Sequence, residues 1–280
     1  MCGSMAAFAW LRNRSLFMSI ERIGDYVTFD VIGNNVAVVT LDRPEQRNAI
    51  NPDIAKALDA IVERTDPDPG IRAVILRSSS EKAFCAGADL EEVAKGNALG
   101  MVTEKGGFAG FVDHQRSTPW IAAINGAAYA GGCEIVLACD MIVASHDAKL
   151  ALPEVKRGLF AGAGGPYRLP RYLPRNIAIE LLTTGDPLDA EQAFHYGLYN
   201  RLVDPSGLMS TAIALAEAIG VNAPFAVGET LQVARQAFDL DESALGDLSA
   251  KTFAKVLASE DAQEGPKAFL EKRPPNWKGK

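Results

Sequence analysis

The chain has 280 residues, of which 48% are hydrophobic and 22% are charged, a mixture typical of a globular enzyme rather than a disordered or fibrous chain. With 28 Lys and Arg against 35 Asp and Glu, the net charge is −7 and there is no long basic run. This charge balance argues against nucleic acid or an anionic membrane surface as a partner, but it allows a local cationic patch for a phosphorylated ligand.

The N-terminal segment, residues 1–18, contains two arginines and no acidic residue, a pattern faintly similar to a transit peptide. We favour the simpler interpretation of an extension outside the fold, with Met18 as the true start. The uncharged stretch Ser117–Cys133 is shorter than the roughly 20 apolar residues that a membrane helix needs. Pro119 and several glycines also interrupt it. We therefore expect no membrane span.

The four cysteines contain no C-x-x-C pair, and three of them lie among apolar or small residues. A disulfide framework or a zinc site is therefore not expected. Free buried thiols suit a reducing compartment, which predicts a cytoplasmic protein. The cysteines are Cys2, Cys85, Cys133 and Cys139.

The first part of the core predicts a β-hairpin and then a helix. Tyr26–Leu41 contains two β-branched runs around the turn signal Gly33-Asn34-Asn35. In "NPDIAKALDAIVERT" apolar residues recur at helical spacing, with Asn51 as the N-cap and Pro52 at the first helical position. The stop signal "DPDPG" follows this helix.

Three further strands are predicted downstream, in "IRAVILRSS", "TPWIAAIN" and "DMIVAS", with the helical segment "GGCEIVLAC" between the last two. Strands that alternate with helices favour parallel β-units packed side by side. From about residue 206 the pattern becomes Ala-rich and helical without a clear strand. The expected organisation is an α/β core over residues 19–205 and a helical region over residues 206–280.

Two turns of small residues are candidates for binding a developing negative charge. The turn "CAGAD" at residues 85–89 allows close approach of a ligand to the backbone. The pair "GG" at residues 131–132 precedes a helix, whose N-terminus adds positive potential. For either turn alone, tight packing would explain the small residues equally well. Two peptide N–H groups from separate turns, aimed at one point, would form an oxyanion hole.

Two glutamates accompany these turns. Glu134 lies on the first turn of the helix in apolar surroundings, and Glu154 follows a proline in "ALPEV". A dipole-complementing acid would explain Glu134 alone, and a solvated loop acid would explain Glu154 alone. Together, two carboxyl groups in a mostly apolar cleft are what is needed to move a proton and a water across a polarised double bond.

These segments resemble the crotonase, or enoyl-CoA hydratase/isomerase, superfamily. The resemblance covers nearly the whole chain from about Tyr26 and depends on three motifs in combination, F-x-A-G-A-D, N-G-x-A-x-G-G-x-E and P-E-x-x-x-G-L-x-x-x-x-G-G. It implies an α/β fold, a spiral of ββα units followed by a helical trimerisation region. It also implies a homotrimer or a dimer of trimers.

The resemblance further implies a role for each motif residue. The N–H groups of Ala88 and Gly131 would form the oxyanion hole for a thioester carbonyl, and Glu134 and Glu154 fall where hydratases carry their two catalytic glutamates. No metal or redox cofactor is implied, because coenzyme A is part of the substrate. The implied contacts to coenzyme A or substrate are Arg43, Arg47, Asn48, Ala49, Lys82, Ala86, Gly87, Asp89, Leu90, Phe269 and Lys272.

Several positions depart from the family pattern. Glu91 stands where many relatives carry a lysine that meets the coenzyme A phosphates, so Arg43, Arg47, Lys82 and Lys272 become the candidates for that contact. Ala130 replaces a common glycine. The Gly-rich segment "KGGFAGFVDH" resembles members that act on crotonobetainyl or carnitinyl thioesters. In the tail, an aromatic and a cation on one helix face suit adenine and phosphate, a role that relatives assign to the residues matching Phe269 and Lys272.

The main hypothesis is reversible hydration of trans-2-enoyl-CoA to 3-hydroxyacyl-CoA. A carnitinyl-type dehydratase and a Δ3–Δ2 isomerase are alternatives within the superfamily. A non-catalytic binding protein on the same fold, including an RNA-binding one, is the alternative from another class. The acidic balance and the pair of glutamates argue against that last alternative. The expected partner is an acyl-CoA thioester, without nucleic acid or membrane.

Overall fold

The computed structural model of the protein describes residues 20–33 and 35–280, so the predicted N-terminal extension and Asn34 of the turn signal lie outside the described residues. Within this part of the chain there are thirteen β-strands: β1 Glu21–Ile23, β2 Val27–Ile32, β3 Val36–Leu41, β4 Ala73–Ser78, β5 Ala83–Cys85, β6 Val102–Thr103, β7 Gly107–Phe108, β8 Trp120–Ile124, β9 Ala127–Tyr129, β10 Met141–Ser145, β11 Lys149–Ala151, β12 Leu188–Asp189 and β13 Arg201–Val203.

Ten α-helices and four short 3₁₀ helices complete the same described residues. The 3₁₀ helices are Pro44–Gln46, Ala98–Met101, Pro153–Arg157 and Pro205–Gly207. The α-helices are α1 Pro52–Thr65, α2 Leu90–Ala94, α3 Gly131–Ala138, α4 Gly165–Tyr172, α5 Arg175–Thr184, α6 Ala190–His195, α7 Leu208–Gly220, α8 Pro224–Arg235, α9 Glu242–Leu257 and α10 Glu260–Leu270.

The larger sheet confirms the predicted parallel β-units. Its strands follow the order β1-β2-β3-β4-β8-β10-β13, and the pairings from β3 to β13 are parallel. The predicted hairpin is present as antiparallel β2 and β3, with Ile32 opposite Val36. The predicted helix is α1, where the Asn51 side chain accepts a hydrogen bond from the Ile54 N–H at 3.0 Å and Pro52 occupies the first position.

A smaller sheet places successive turns of the spiral next to each other. Its order is β12-β11-β9-β5, and β5, β9 and β11 are parallel neighbours. In each of three units a strand of the larger sheet leads into a strand of the smaller sheet and then into a helical turn. Because β5, β9 and β11 are parallel neighbours, the residues that follow these strands meet at one edge of the smaller sheet.

The core has two parts. The main part lies between the two sheets and the helices of the spiral, with Trp120, Phe84 and Phe111 among its largest fully buried side chains. On the opposite face of the larger sheet, α7 packs through Leu208, Ala212 and Ala216. Burial of this apolar area is the main source of stability and holds the strand ends in place.

No strand follows Val203 among the described residues, which agrees with the helical pattern read from residue 206 onward. The proposed domain boundaries themselves stay predictions. Cys85, Cys133 and Cys139 are buried and free, as expected. No single described helix is long and apolar enough to cross a membrane; the pair Pro205–Gly220 and Pro224–Arg235, bent by 106°, reaches the required length and composition only when the two helices are taken together.

Candidate active site

Three turns come together at the edge of the smaller sheet. The first follows β5, the second follows β9 and the third follows β11. A Cβ added to Gly87 in the first turn would lie 2.9 Å from the backbone nitrogen of Gly131 in the second. Gly87 also has a φ of +93°, which L side chains rarely adopt. Close approach and backbone conformation therefore both require glycine at this position.

The N–H groups of Ala88 and Gly131 are available to a ligand. Neither donates a hydrogen bond to another group in the described chain. Ala88 is held by its neighbours, because the Ile50 N–H donates to the Gly87 carbonyl and the Asp89 N–H donates to the Ile50 carbonyl, both at 2.8 Å. Gly131 begins α3, so its N–H is one of the unpaired donors at a helix N-terminus. The structure thus brings together the two predicted oxyanion donors.

Ala130 precedes one of these donors in a strained conformation. Its φ is 51° and its ψ is −128°, a combination normally restricted to glycine. This is the position where the sequence departs from the glycine of its relatives. The Ala130 N–H donates to the Ala151 carbonyl at 2.9 Å, which ties the second turn to β11. The peptide between Ala130 and Gly131 therefore keeps a fixed orientation at the cost of backbone strain.

Glu134 lies one helical turn after Gly131, and only 3% of the residue is exposed. Its Oε1 atom accepts hydrogen bonds from the backbone N–H groups of Ala163 at 2.7 Å and Gly165 at 2.9 Å. Oε2 accepts no hydrogen bond from the described residues and remains available. Burial raises the pKa of Glu134, and the neighbouring Glu154 raises it further, whereas the two backbone donors act in the opposite direction.

Glu154 is the second residue of the 3₁₀ helix Pro153–Arg157 that follows β11, and it is half-buried. Its Oε2 atom is buried and has no hydrogen-bond partner in the described chain. Burial raises the pKa of Glu154, because the charged carboxylate loses hydration, and a hydrogen bond from its own backbone N–H and the charge of Arg157 lower this pKa by less. The two carboxyl groups predicted as a pair therefore share one site, and one of them is held by two donors while the other lacks a donor for Oε2.

An aromatic side chain borders the same turns. A Cβ added to Gly131 would clash with the ring of Phe108, so this ring lies directly against the second turn. Phe108 ends β7, which pairs with β6 to form a small hairpin in the Gly-rich segment. It is half-buried and packs against the main core. The Gly-rich character of this loop was noticed in the sequence, but nothing there indicated which of its aromatic side chains reaches the site.

Several residues predicted to bind coenzyme A are engaged within the chain instead. Arg43 forms a 2.6 Å ion pair with Asp89, with side-chain exposures of 12% and 8%, and also donates to the Ala49 carbonyl at 3.0 Å. Asp89 caps α2 and accepts from the Glu91 N–H. The Nη1 atom of Arg43 is therefore occupied by groups of the chain itself, and the contact of Arg43 with phosphate stays a prediction. The sequence could not show this, because Arg43 and Asp89 are 46 positions apart.

The side chain of Asn48 is engaged within the chain, and the predicted contact of this residue with coenzyme A stays a prediction. Asn48 is fully buried; it donates to Ser78 Oγ at 2.7 Å and to the Phe84 carbonyl at 2.9 Å. Its Oδ1 atom accepts from the Arg43 N–H at 2.8 Å. With donor and acceptor groups both satisfied, this side chain can only shape the segment that supports the first turn.

The exposed residues of the predicted set divide into two groups. Arg47 and Lys82 are exposed and form no ion pair within the described chain, so they remain available to phosphate. Ala86 and Leu90 are also exposed beside the first turn. Lys272 and Phe269 are exposed in the tail, but the prediction that they share one helix face is wrong. The helix α10 ends at Leu270, and Lys272 lies beyond it with a φ of 53°.

Sequence reasoning missed the residues that hold Glu134. The two glycines that end the motif P-E-x-x-x-G-L-x-x-x-x-G-G were read only as part of the family pattern, yet the N–H groups of Ala163 and Gly165 in this turn bind Glu134. Backbone donors have no side-chain signature, so only the glycine-rich composition could have indicated them. Arg168 was also missed, although it donates to the Ala163 carbonyl at 2.7 Å.

Two sheets joined by three ββα turns define the crotonase type of fold. The chain belongs to the enoyl-CoA hydratase/isomerase family, whose family model matches residues 31–280.

Individual relatives agree with this assignment. Carnitinyl-CoA dehydratase of Proteus mirabilis is 40% identical over 251 residues, which cover 88% of this chain and 96% of that protein. The solved structure of an enoyl-CoA hydratase from Mycobacterium tuberculosis H37Rv is 39% identical with a TM-score of 0.86, covering 91% of this chain and 99% of its own. A carnitinyl-CoA hydratase from Mycobacterium avium is 41% identical with a TM-score of 0.72, covering 93% and 100%.

Proposed function

We propose that the chain is a hydro-lyase that adds water across the C2–C3 double bond of a trans-2-enoyl-CoA thioester and removes it in the reverse direction. The observation that carries this proposal is the meeting of Glu134 and Glu154 with the free N–H groups of Ala88 and Gly131 on three adjacent turns. Water addition needs a base, an acid and a site for negative charge on the thioester oxygen. The two glutamates supply the base and the acid, and the two N–H groups supply the site for the negative charge.

The thioester oxygen would accept hydrogen bonds from the Ala88 and Gly131 N–H groups. Attack at C3 converts the carbonyl into an enolate, and the negative charge that develops on the oxygen is stabilised by donors already in place. One such donor is typically worth about 3 kcal/mol of transition-state stabilisation. The N-terminus of α3 adds positive potential at the same point.

Glu134 would act as the base. The two backbone donors to Oε1 fix the carboxylate, and Oε2 is free to accept a proton from water. The oxygen of that water forms the bond to C3 and its proton passes to Glu134. The electron pair of the double bond moves into the enolate, which collapses as C2 takes a proton from Glu154. Solvent then restores both protonation states, and the net change is the addition of one water.

Glu154 suits the acid role because burial raises its pKa and thereby favours the protonated form. Its Oε2 atom has no partner in the described chain, which leaves it free to face the substrate. A raised pKa in both carboxyl groups also favours a state in which the pair shares one proton. That state contains one base and one acid, as water addition requires.

A second class of acyl-CoA thioester is also a candidate substrate. The curated relatives at 40% identity are carnitinyl-CoA dehydratases, and Phe108 places an aromatic ring against the second turn. An aromatic face attracts a quaternary ammonium group by a cation–π interaction. A thioester whose acyl chain ends in trimethylammonium is therefore the alternative to a simple fatty enoyl chain. The exposed Arg47, Lys82 and Lys272 would contact the coenzyme A phosphates in either case. The reaction chemistry needs no separate cofactor.

A direct comparison of two substrates tests this proposal. Loss of the ultraviolet absorbance of the conjugated thioester is followed for crotonyl-CoA and for crotonobetainyl-CoA, and the product is identified by mass spectrometry. A gain of one water on either substrate supports the hydro-lyase, and the larger kcat/KM identifies the acyl class. A shift of the double bond without water uptake would contradict the proposal in favour of an isomerase.

A further inference from the structure

Arg168 connects two separate loops next to the candidate active site. It lies on α4, and 18% of its side chain is exposed. Its Nη1 donates to the carbonyl of Ala163 at 2.7 Å, and its Nη2 donates to the carbonyl of Val112 at 2.6 Å. The two carbonyls are 51 positions apart in the sequence, so one guanidinium joins segments that are otherwise independent. We refer to Arg168, Ala163 and Val112 as the Arg168 bridge.

Both segments form part of the site. The Ala163 N–H donates to Glu134 Oε1, so the peptide units on either side of Ala163 contact Glu134 on one side and Arg168 on the other. Val112 belongs to the loop that carries Phe108, and the Val112 N–H donates back to the Phe108 carbonyl at 3.3 Å. The Arg168 bridge therefore connects the turn that binds the Glu134 carboxylate to the loop that carries the Phe108 ring.

The local backbone is built around this guanidinium. Gly164 has a φ of +111°, and a Cβ at that position would clash with Arg168 Nη1. A planar fork that donates to two carbonyls restricts both loops more than a single ammonium group would. The arrangement therefore depends on arginine and on glycine together.

The charge of Arg168 also acts on Glu134. The groups that face this carboxylate are Glu154 from the 3₁₀ helix, which raises its pKa, and Arg168 from α4, which lowers it. Around Arg168 itself, Asp113 lies at 3.7 Å and the Tyr167 ring centroid at 5.1 Å. Asp113 is largely exposed, so solvent screens its effect. The positive charge of Arg168, which lowers the pKa of Glu134, is thus fixed by a hydrogen bond to the turn that binds the carboxylate.

We propose that Arg168 is a positioning residue for the reaction: it orients the Glu134 carboxylate through Ala163 and fixes the loop that carries Phe108 through Val112. The expected effect on catalysis rests on the proposed function. The hydrogen bonds of the Arg168 bridge do not depend on that function. Arg171, three residues further along α4, is the natural control, because it pairs with Asp239 at the surface and contacts neither loop.

The test compares Arg168→Met, Arg168→Lys and Arg171→Met with the wild-type enzyme. We expect Arg168→Met to lower kcat by about tenfold to a hundredfold with KM changed less than threefold, since misplacement of a catalytic group affects turnover more than binding. Removal of the cation raises the pKa of Glu134, so the acid limb of the kcat/KM profile should move to higher pH. Arg168→Lys keeps the charge but not the fork, so it should lose kcat without moving that limb.

Amide hydrogen exchange provides a measurement that needs no activity. We expect the Ala163 and Gly165 amides to exchange faster in both Arg168 variants than in Arg171→Met. If the wild type hydrates neither enoyl thioester, the proposed function fails while this exchange result still decides whether the bridge exists. Wild-type kcat and wild-type exchange in Arg168→Lys would overturn the inference, as would equal effects in Arg168→Met and Arg171→Met. Should Arg168→Met not fold, the Arg168→Lys result alone decides.

Discussion

The backbone nitrogen of Gly165 lies 2.9 Å from Oε1 of Glu134, across 31 positions of sequence. This contact comes from the third turn of the spiral and binds a carboxylate that stands on the second. It fixes one oxygen of a buried acid without neutralising it, because the donor is a peptide N–H rather than a cation. The donor lowers the pKa of Glu134 by less than burial raises it, so the carboxylate gains a defined direction while its pKa stays raised.

The two N–H groups can be tested by removing one of them. Ala88→Pro deletes one donor, and we expect kcat to fall by about 10²–10³-fold while calorimetric binding of a non-reactive acyl-CoA changes much less. Ala88→Gly keeps the N–H and serves as the matched control with near wild-type turnover. Circular dichroism monitors the fold of both variants. A folded Ala88→Pro enzyme with wild-type kcat would show that this N–H does not stabilise the oxyanion.

The strained Ala130 predicts a gain in stability. Ala130→Gly removes the penalty of a φ of 51° and a ψ of −128°, which outweighs the extra freedom of glycine in the unfolded chain. We expect the free energy of unfolding to rise by about 1 kcal/mol, measured by urea denaturation. Ala128→Gly makes the same chemical change within β9 and should destabilise instead. Equal losses in both variants would contradict the assignment of strain to Ala130.

The raised pKa of Glu154 predicts a pH-dependent stability difference. The pKa of Glu154 is higher in the folded than in the unfolded protein, so ionisation of Glu154 opposes folding. The wild type therefore loses stability as the pH rises through the folded pKa. Glu154→Gln cannot ionise and should therefore be more stable than the wild type above that window. The advantage should shrink toward the unfolded pKa of about 4.3. Thermal unfolding between pH 4 and pH 8 measures it, and a constant difference across that range would refute the raised pKa.

The tail provides a prediction about assembly and ligand contact. Phe269 is 83% exposed on α10, and we predict a homotrimer or a dimer of trimers in which Phe269 and Lys272 complete a coenzyme A site. Phe269→Ala and Lys272→Ala should each raise KM for acyl-CoA several-fold with little change in kcat, since both act in binding. Lys267→Ala, an exposed cation on the same helix, should not change KM. A monomer by sedimentation with unchanged KM in both variants would contradict this prediction.

Local patterns predicted much of the fold, because strands and caps depend on nearby residues. Asn51 and Pro52 marked the start of α1, and the β-branched runs marked β4, β8 and β10. The parallel order followed from the alternation of strands and helices. Contacts between distant segments could not be predicted in this way. The ion pair of Arg43 with Asp89 and the donors to Glu134 depend on how the turns of the spiral stack.

The C-terminal tail shows a second reason why a prediction from the sequence failed. The spacing of Phe269 and Lys272 suited one helix face, but the helix ends before Lys272 and the chain adopts a positive φ there. Two prolines follow at residues 274 and 275, and the residues before them are biased away from helix.

The two glutamates carry the central claim, and one measurement tests it directly. Hydration of crotonyl-CoA, or of crotonobetainyl-CoA if that is the better substrate, is followed with the wild type, Glu134→Gln and Glu154→Gln. Each variant keeps the shape of the side chain but removes its proton transfer, so each should lower kcat by about 10²–10⁴-fold. Full hydration activity in either variant would contradict the two-glutamate mechanism. If only Glu154→Gln is inactive, and a 3-enoyl thioester is the better substrate, the isomerase alternative is correct instead.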